Sequence, residues 1–191
     1  MEEFELKFLE VNVPDLEKKL LRIGAKKVGE YHYHRANFDY PDNSLNNKHG
    51  WVRLRTDGKE TTLAYKENIK KKLDDGSIQN IGAKEIEISV DNYLKAYELL
   101  KAIGLVVRVE EKNKRVRYAK DDVVFDIDSW PFIPTYLEIE SSSYKKAEIA
   151  AVELGFDPKN GIIGSAGTIY KKYNFNIDNY SSITFEGMIK K

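Results

Sequence analysis

From Glu2 to Glu10 charged and apolar residues alternate with the period of a strand, Glu3, Glu5 and Lys7 on one face and Phe4 and Leu6 on the other. One such strand is an ordinary half-exposed edge. The pattern returns, however, in Arg53-Leu54-Arg55, Glu85-Ile86-Glu87, Asp126-Ile127-Asp128 and Glu138-Ile139-Glu140, each charge, apolar, charge inside a strand-like run. Five such segments predict a sheet curled so that its concave face carries charges of both signs.

Between these strands the period changes. Asn12 and Pro14 open a helix whose Val13, Leu16, Leu20 and Ile23 share a face up to Gly24. Residues 25–40 alternate aromatic and polar residues and predict a long strand. Residues 41–50 are dense in turn formers. Strands at 51–56 and 61–67 meet at Asp57-Gly58, a hairpin signal. Residues 68–82, lysine-rich and polar, read as a connection, either a mobile loop or a basic flap over an anionic ligand. A strand at 83–90 leads to a helix capped by Asp91, with Leu94, Tyr97, Leu100 and Ile103 inward and Gly104 as its stop. Strands follow at 105–119, 123–130 and 135–141. Ser143 caps a third helix with Ala147, Ala150, Ala151 and Leu154 on its inner face, and 164–173 suits a short last helix. No repeat or composition shift marks a second domain, so the expected organisation is one domain over 1–175 and a tail, 176–191, that the pattern does not place.

Composition then narrows the chemistry. The 191 residues carry 31 Lys plus Arg and 31 Asp plus Glu, a net charge of zero that argues against nucleic acid, while the charged fraction of 32% exceeds the usual quarter or so. Without cysteine, neither a disulfide framework nor a thiolate metal site is possible, which suits a reducing cytoplasm. Residues 1–30 lack an apolar signal region and no run approaches a membrane span, so a soluble cytoplasmic protein is expected.

The inward acids would be Glu3, Glu5, Glu85, Glu87, Asp126, Asp128, Glu138 and Glu140; the bases Lys7, Arg53, Arg55, Lys66 and several of Lys112, Lys114, Arg115 and Arg117. Each ion taken from water costs on the order of several kcal/mol. A dry core of this set would exceed the roughly 5–15 kcal/mol that stabilises a domain. The concave face must therefore be wet. A closed or nearly closed barrel of about eight strands admits one small ligand. Carboxylates bind Mg²⁺ or Mn²⁺ through oxygen, and Arg and Lys bind phosphate oxygens, so a triphosphate with two metal ions would use the whole set.

The ordered set, Glu3-x-Glu5-x-Lys7, Arg53-x-Arg55, Lys66, Glu85-x-Glu87, the basic cluster at 112–117, Asp126-x-Asp128 and Glu138-x-Glu140, resembles the CYTH superfamily of triphosphate tunnel metalloenzymes over about residues 1–175. The resemblance implies an α+β fold, an eight-stranded antiparallel barrel around a tunnel. It implies metal binding by Glu3, Glu5, Glu138 and Glu140, assisted by Asp126 or Asp128. Phosphate binding falls to Lys7, Arg53, Arg55, Lys66 and the cluster Lys112, Lys114, Arg115 and Arg117. Strand parity puts Lys112 and Lys114 on one face and Arg115 and Arg117 on the other, and leaves open which pair is inward. Lys66, Glu85, Glu87 and Asp126 are the candidates for the chemistry itself.

Metal-assisted phosphoryl chemistry follows, with Mg²⁺ or Mn²⁺ at two sites. Attack by water makes the protein a triphosphatase acting on tripolyphosphate, a nucleoside triphosphate or thiamine triphosphate; attack by a ribose 3′-hydroxyl makes it a class IV adenylyl cyclase releasing cyclic AMP and pyrophosphate. Hydrolysis is preferred because no nucleoside pocket is legible. A binding module without turnover is the third reading. The expected partner is a small-molecule triphosphate, with a homodimer compatible and neither membrane nor nucleic acid implied. His32, His34 and His49 lack companions at zinc spacing, the tyrosines are chiefly packing, and 130–134 reads as a stiff apolar turn.

Overall fold

A computed structural model of the protein describes residues 2–72 and 78–191, with the side chains of all these except 2, 3, 71 and 78–81. In chain order the elements are β1 (Glu2–Phe8), α1 (Val13–Arg22), β2 (Lys26–Asp39), β3 (Gly50–Thr56), β4 (Thr61–Lys72), β5 (Ile78–Ser89), α2 (Tyr93–Ala102), β6 (Val106–Lys120), β7 (Val123–Ser129), β8 (Tyr136–Ser141), α3 (Tyr144–Glu153), α4 (Ala166–Lys172), β9 (Tyr180–Thr184) and β10 (Gly187–Lys190). The strands form one sheet in the order β10-β9-β6-β2-β3-β4-β5-β1-β8-β7, and β6 pairs with β7 as well. The pairings therefore run in a circuit from β6 through β2, β3, β4, β5, β1, β8 and β7 back to β6. It is an antiparallel tunnel fold whose closure is uneven. At its weakest seam, β1 meets β5 at Glu2–Lys84 and Glu3–Ala83, and from Phe4 onward β1 follows β8 instead.

The length of β6 makes the return possible. Its first half lies beside β9 at Glu110 and Glu111, in parallel, and its second half beside β7 from Lys114 to Lys120, antiparallel. The β3–β4 hairpin turns where Asp57-Gly58 predicts: Gly58 takes a φ of +90° that favours glycine, and the Asp57 carboxylate accepts from the Lys59 and Glu60 amides.

One expectation is corrected here, and the tail that the pattern left unplaced finds its place. Residues 68–82 are not a loop or flap throughout: β4 continues to Lys72 and β5 begins at Ile78, paired down to Lys72–Ile78. Polar side chains do not preclude a ladder, because the partner strand's backbone satisfies it whatever the side chains are. Residues 73–77 of that expected connection lie outside the described residues. The tail is also ordered. A 3₁₀ turn at Ile177–Asn179 leads into the β9–β10 hairpin, which buries Ile183 completely against Val109, Trp130 and Tyr170.

The outer faces of the strands carry the apolar core. The helices α1 and α3 cover β1, β7 and β8, burying Leu16, Leu20, Ala147, Ala150, Ala151 and Leu154 against Leu6, Phe125, Ile127, Leu137 and Ile139. The helix α2 covers β2 and β3, with Ala96 and Leu100 against Ala36, Phe38 and Leu54. Asn12 and Ser143 cap α1 and α3 as expected, but α2 is capped by Asn92 rather than Asp91. The inward face of α2 also differs: Leu94 and Ile103, expected inside, are 73% and 58% exposed, and Ala96 takes the inner position.

Leu100→Ala is therefore expected to cost about 2–4 kcal/mol, and Leu94→Ala to stay within about 0.5 kcal/mol of the parent. Urea denaturation of the two variants measures both, and a larger loss at Leu94 would mean that this face is covered.

Candidate functional site

Outward residues of β1, β2, β3, β7 and β8 meet helices, and their alternates, with those of the other strands of the circuit, face the interior, where they line a cavity of about 1300 Å³. Glu5 and Lys7 come from β1, Arg35 and Asn37 from β2, Arg53 and Arg55 from β3, Lys66 from β4, and Glu85 and Glu87 from β5. Glu111, Arg115 and Arg117 come from β6, Asp128 from β7, and Glu138 and Glu140 from β8. The two signs are sorted by strand. β7 and β8 give acids, β3 and β4 across the circuit give bases, and β1 gives one of each among its described side chains.

On the acidic side, register sets Glu5 opposite Glu140 and Lys7 opposite Glu138, and Asp126 opposite Glu138 on the next strand. Carboxylate oxygens of Asp126, Glu138 and Glu140 lie within 4.8 Å of one another. An all-oxygen set of hard donors this close fits Mg²⁺ or Mn²⁺ and would repel itself without cations. Three cations from the chain also serve the wall. The Lys7 ammonium lies 2.5 Å from Glu5 and 3.1 Å from Glu138. Arg115 makes a two-pronged pair with Asp128, both bonds 2.6 Å, and reaches Asp126 at 2.5 Å and Glu138 at 3.3 Å; Arg117 forks onto Asp126 at 2.8 and 2.7 Å.

The basic side is braced by the acids of β5. Arg53 contacts Glu85 at 2.7 Å and Glu87 at 3.0 Å, Arg55 contacts Glu87 at 3.2 Å, and Lys66 contacts Glu85 at 2.5 Å. Arg55 also lies 4.6 Å over the Tyr33 ring, which fixes the plane of its guanidinium.

Protonation follows from burial and these pairs. Burial disfavours the Lys7 ammonium, but Glu138 and Glu5 outweigh it and hold the lysine charged. Arg115 is likewise buried, and Asp128, Asp126 and Glu138 keep it ionised. Burial pushes Glu138 up, yet Lys7 and Arg115 together hold its carboxyl well below the ordinary range. In Glu5 burial wins over Lys7, and Glu138 adds to it, so this carboxyl is raised. Glu5 and Glu138 share one lysine, and their affinities for a proton are driven apart.

Most residues named from the sequence converge here: Glu5, Lys7, Arg53, Arg55, Lys66, Glu85, Glu87, Arg115, Arg117, Asp126, Asp128, Glu138 and Glu140 are within one interior. Lys112 and Lys114 are not. Parity turns them outward, where Lys112 pairs with Glu186 at 3.3 Å and Lys114 lies 5.0 Å over Phe185. The inward pair is Arg115 and Arg117. The Glu3 side chain lies outside the described residues. His34 faces outward beside Tyr93, whereas His49 lines the cavity and its Nδ1 is 3.2 Å from the Lys70 ammonium. The sequence reading missed Arg35, Asn37, Glu111 and Asn113, which belong to the same interior wall. Their signal was the odd-numbered alternation of β2 and β6, masked by tyrosines in one and by a run of charges on both faces of the other.

A model of the CYTH domain matches residues 1–164. The chain belongs to the CYTH family. No curated protein matches the sequence. Among solved structures, this CYTH protein is similar to a Pyrococcus horikoshii protein at 25% identity, with a TM-score of 0.69 over 85% of this chain and 94% of that one. It shares its fold with a candidate adenylate cyclase from Vibrio parahaemolyticus at 14% identity, TM-score 0.72, over 90% and 98% of the two chains. It also shares it with a candidate adenylyl cyclase from Hippeastrum reported with a dominant triphosphatase activity, at 15% identity, TM-score 0.61, over 91% and 96%. Among the described residues, no helix is long and apolar enough to cross a membrane.

Lys7→Met is expected to cost about 3–5 kcal/mol at pH 7, since it leaves buried carboxylates without their cation. In the parent, Glu138 is held below its unfolded value, so its contribution is present above about 4.5 and is lost as pH falls. Glu5 is held above that value, so its ionised form opposes folding and protonation relieves it. Without Lys7 both carboxyls shift upward, so the deficit shrinks as pH is lowered from 7 towards 4.5. Denaturant titrations across that range test the sign; a deficit that grows in acid contradicts the assignment.

Proposed function

We propose that this CYTH protein is a metal-dependent phosphohydrolase that binds a triphosphate in the tunnel. The observation that carries the reading is an interior lined by charges of both signs: a carboxylate-rich side that holds Lys7, Arg115 and Arg117 faces Arg53, Arg55 and Lys66, braced by Glu85 and Glu87, across one cavity. Such an interior suits a polyanion bound together with divalent cations. The triphosphate tunnel fold and the presence of cyclase and triphosphatase names among the structural neighbours support the same substrate class.

In this reading Arg53, Arg55 and Lys66 grip phosphate oxygens from one side, and Arg115, Arg117 and Lys7 from the other. Planar guanidinium forks orient the chain of phosphates, and the ammonium groups act as point charges. Glu85 and Glu87 hold the first set in position before substrate arrives, which reduces the reorganisation that binding requires. Asp126, Glu138 and Glu140, with Glu5 and Glu3 as further candidates, would hold Mg²⁺ or Mn²⁺. Bound there, such an ion supplies neutralisation of the charge that develops on the phosphoryl oxygens. When it stays off the metal, Glu5 is suited to take a proton from the attacking water, because burial raises its affinity for a proton while Glu138 stays ionised. Lys66, Glu85, Glu87 and Asp126 act by holding and orienting.

Incubation with tripolyphosphate, ATP and thiamine triphosphate in Mg²⁺ or Mn²⁺ is expected to release orthophosphate, and a chelator to abolish the release. Arg55→Ala and Glu138→Gln should each lower kcat/KM by on the order of a hundredfold or more, as loss of an electrostatic contact to the transition state does. Cyclic AMP and pyrophosphate without orthophosphate would assign the tunnel to a cyclase instead, and tight binding of an unchanged ligand would make it a binding module.

A further inference from the structure

Deep in the cavity wall one cation belongs to none of the motifs. Arg35 of β2 is 7% exposed and has no carboxylate within ion-pairing distance among the described residues. Its Nη2 donates to Asn113 Oδ1 at 2.5 Å, and its guanidinium lies 4.7 Å over the Trp130 ring. Its Nε has no hydrogen-bond partner. Three neighbouring polar atoms are in the same condition: Asn113 Nδ2, Trp130 Nε1 and Arg53 Nε. All four are N–H donors, and buried donors are rarely left unpaired.

The like charges sharpen the point. After burial itself, the strongest influence on Arg35 is Arg53, a second guanidinium, and Arg55 and Arg115 act in the same sense. Glu111 is the nearby acid, but its carboxylate accepts from Asn37 at 2.6 Å rather than from Arg35. Folding has therefore brought two guanidinium groups together, each with its Nε idle, and has locked one of them by a hydrogen bond and a stacked ring. Neither Nε has an acceptor among the described residues, and register sets the two side chains on adjoining strands of one cavity wall.

Resting on the reading of the tunnel as a phosphate site, we infer that Arg35 and Arg53 form an oxyanion subsite that takes the terminal, unesterified phosphoryl group of the substrate. The chemistry is that of a negatively charged acceptor, since four idle atoms of this wall are donors, two of them on cations, against one idle acceptor, Asn37 Oδ1. The position is enclosed: Arg35, Glu111, Trp130 and Tyr136 are all at least nine-tenths buried. A phosphate oxygen fits such a pocket, and an esterified phosphate, with an organic group on that oxygen, does not. The substrate thus enters phosphoryl end first, and its organic part stays at the open side of the cavity. Free orthophosphate shares the same chemistry and is the second source of the group.

Calorimetric titration of the full chain with tripolyphosphate, ATP, ATP methylated on its γ-phosphate, and orthophosphate, each with Mg²⁺, tests the subsite. Tripolyphosphate and ATP are expected to bind the parent protein, and Arg35→Gln to weaken both on the order of tenfold or more, the worth of a charge-assisted contact. The γ-methyl ester should bind the parent at least tenfold more weakly than ATP and be indifferent to the substitution. Binding of orthophosphate lost in Arg35→Gln would show that the free ion also uses the pocket, in support of it. Arg35→Lys keeps the charge but not the fork and should recover only part of the affinity. A ligand-free melting temperature that is unchanged or raised in Arg35→Gln is expected of a cation held without a counter-ion, and a marked fall would mark it as structural. Should Arg35→Gln misfold, Asn113→Ala, which frees the guanidinium, is to weaken binding in the same order of ligands. Equal binding of ATP and its γ-methyl ester, or unchanged tripolyphosphate affinity in Arg35→Gln, overturns the inference. If tripolyphosphate binds through Arg35 but is never hydrolysed, the subsite stands and the hydrolase reading falls.

Discussion

The structure depends on charges that neutralise one another inside a sheet. Arg115 is the clearest case: a guanidinium only 8% exposed, with Asp126, Asp128 and Glu138 around it on two neighbouring strands. An isolated ion at that depth would unfold a domain of ordinary stability. Three carboxylates alone would do the same. Together they make an interior that tolerates burial and still leaves net negative charge on that side for a cation to satisfy.

This constraint explains the division of labour between the two faces of the strands. Hydrocarbon cannot fill the middle, so the apolar residues that stabilise the fold are displaced to the outside, where α1, α2 and α3 cover them as separate clusters. The C-terminal segment does the same for the remaining side. Its β9–β10 hairpin and α4 bury Ile169, Tyr170 and Ile183 against Trp130 and Tyr136, and the Tyr170 hydroxyl donates to Pro131 O at 2.8 Å. That packing backs the Trp130 ring over which Arg35 lies, and Ser165, Thr168 and Lys171 of the same segment line the cavity.

The long strand β6 joins the two functions. Its outer neighbour changes from β9 to β7 along its length, and its inner side chains change with it, from Glu111 and Asn113 to Arg115 and Arg117. The polar pocket around Arg35 and the acid-rich wall around Glu138 are therefore parts of one strand's inward face. Parallel pairing with β9 and antiparallel pairing with β7 are possible on the same edge because neither partner runs its full length.

Alternation alone determined much of this protein. The period-two pattern in Glu5-Leu6-Lys7, Arg53-Leu54-Arg55 and Glu138-Ile139-Glu140 located the strands, named most of the cavity residues and implied a wet interior, because parity is a local property of an extended chain. Asn12 and Ser143 were equally legible, as caps act on their own helices. What tertiary structure alone decided was where parity has a choice or polarity misleads. Lys112 and Lys114 could not be told from Arg115 and Arg117 until β2 and β7 fixed which side of β6 faces in. The polar ends of β4 and β5 form strands only because each supplies the other's backbone partners. Arg35 gained its meaning from Arg53 and Asn113, 18 and 78 residues away in sequence. A residue's face is written in its neighbours along the chain, but its partners across the tunnel depend on register, and register is settled only when the circuit of strands returns to its start.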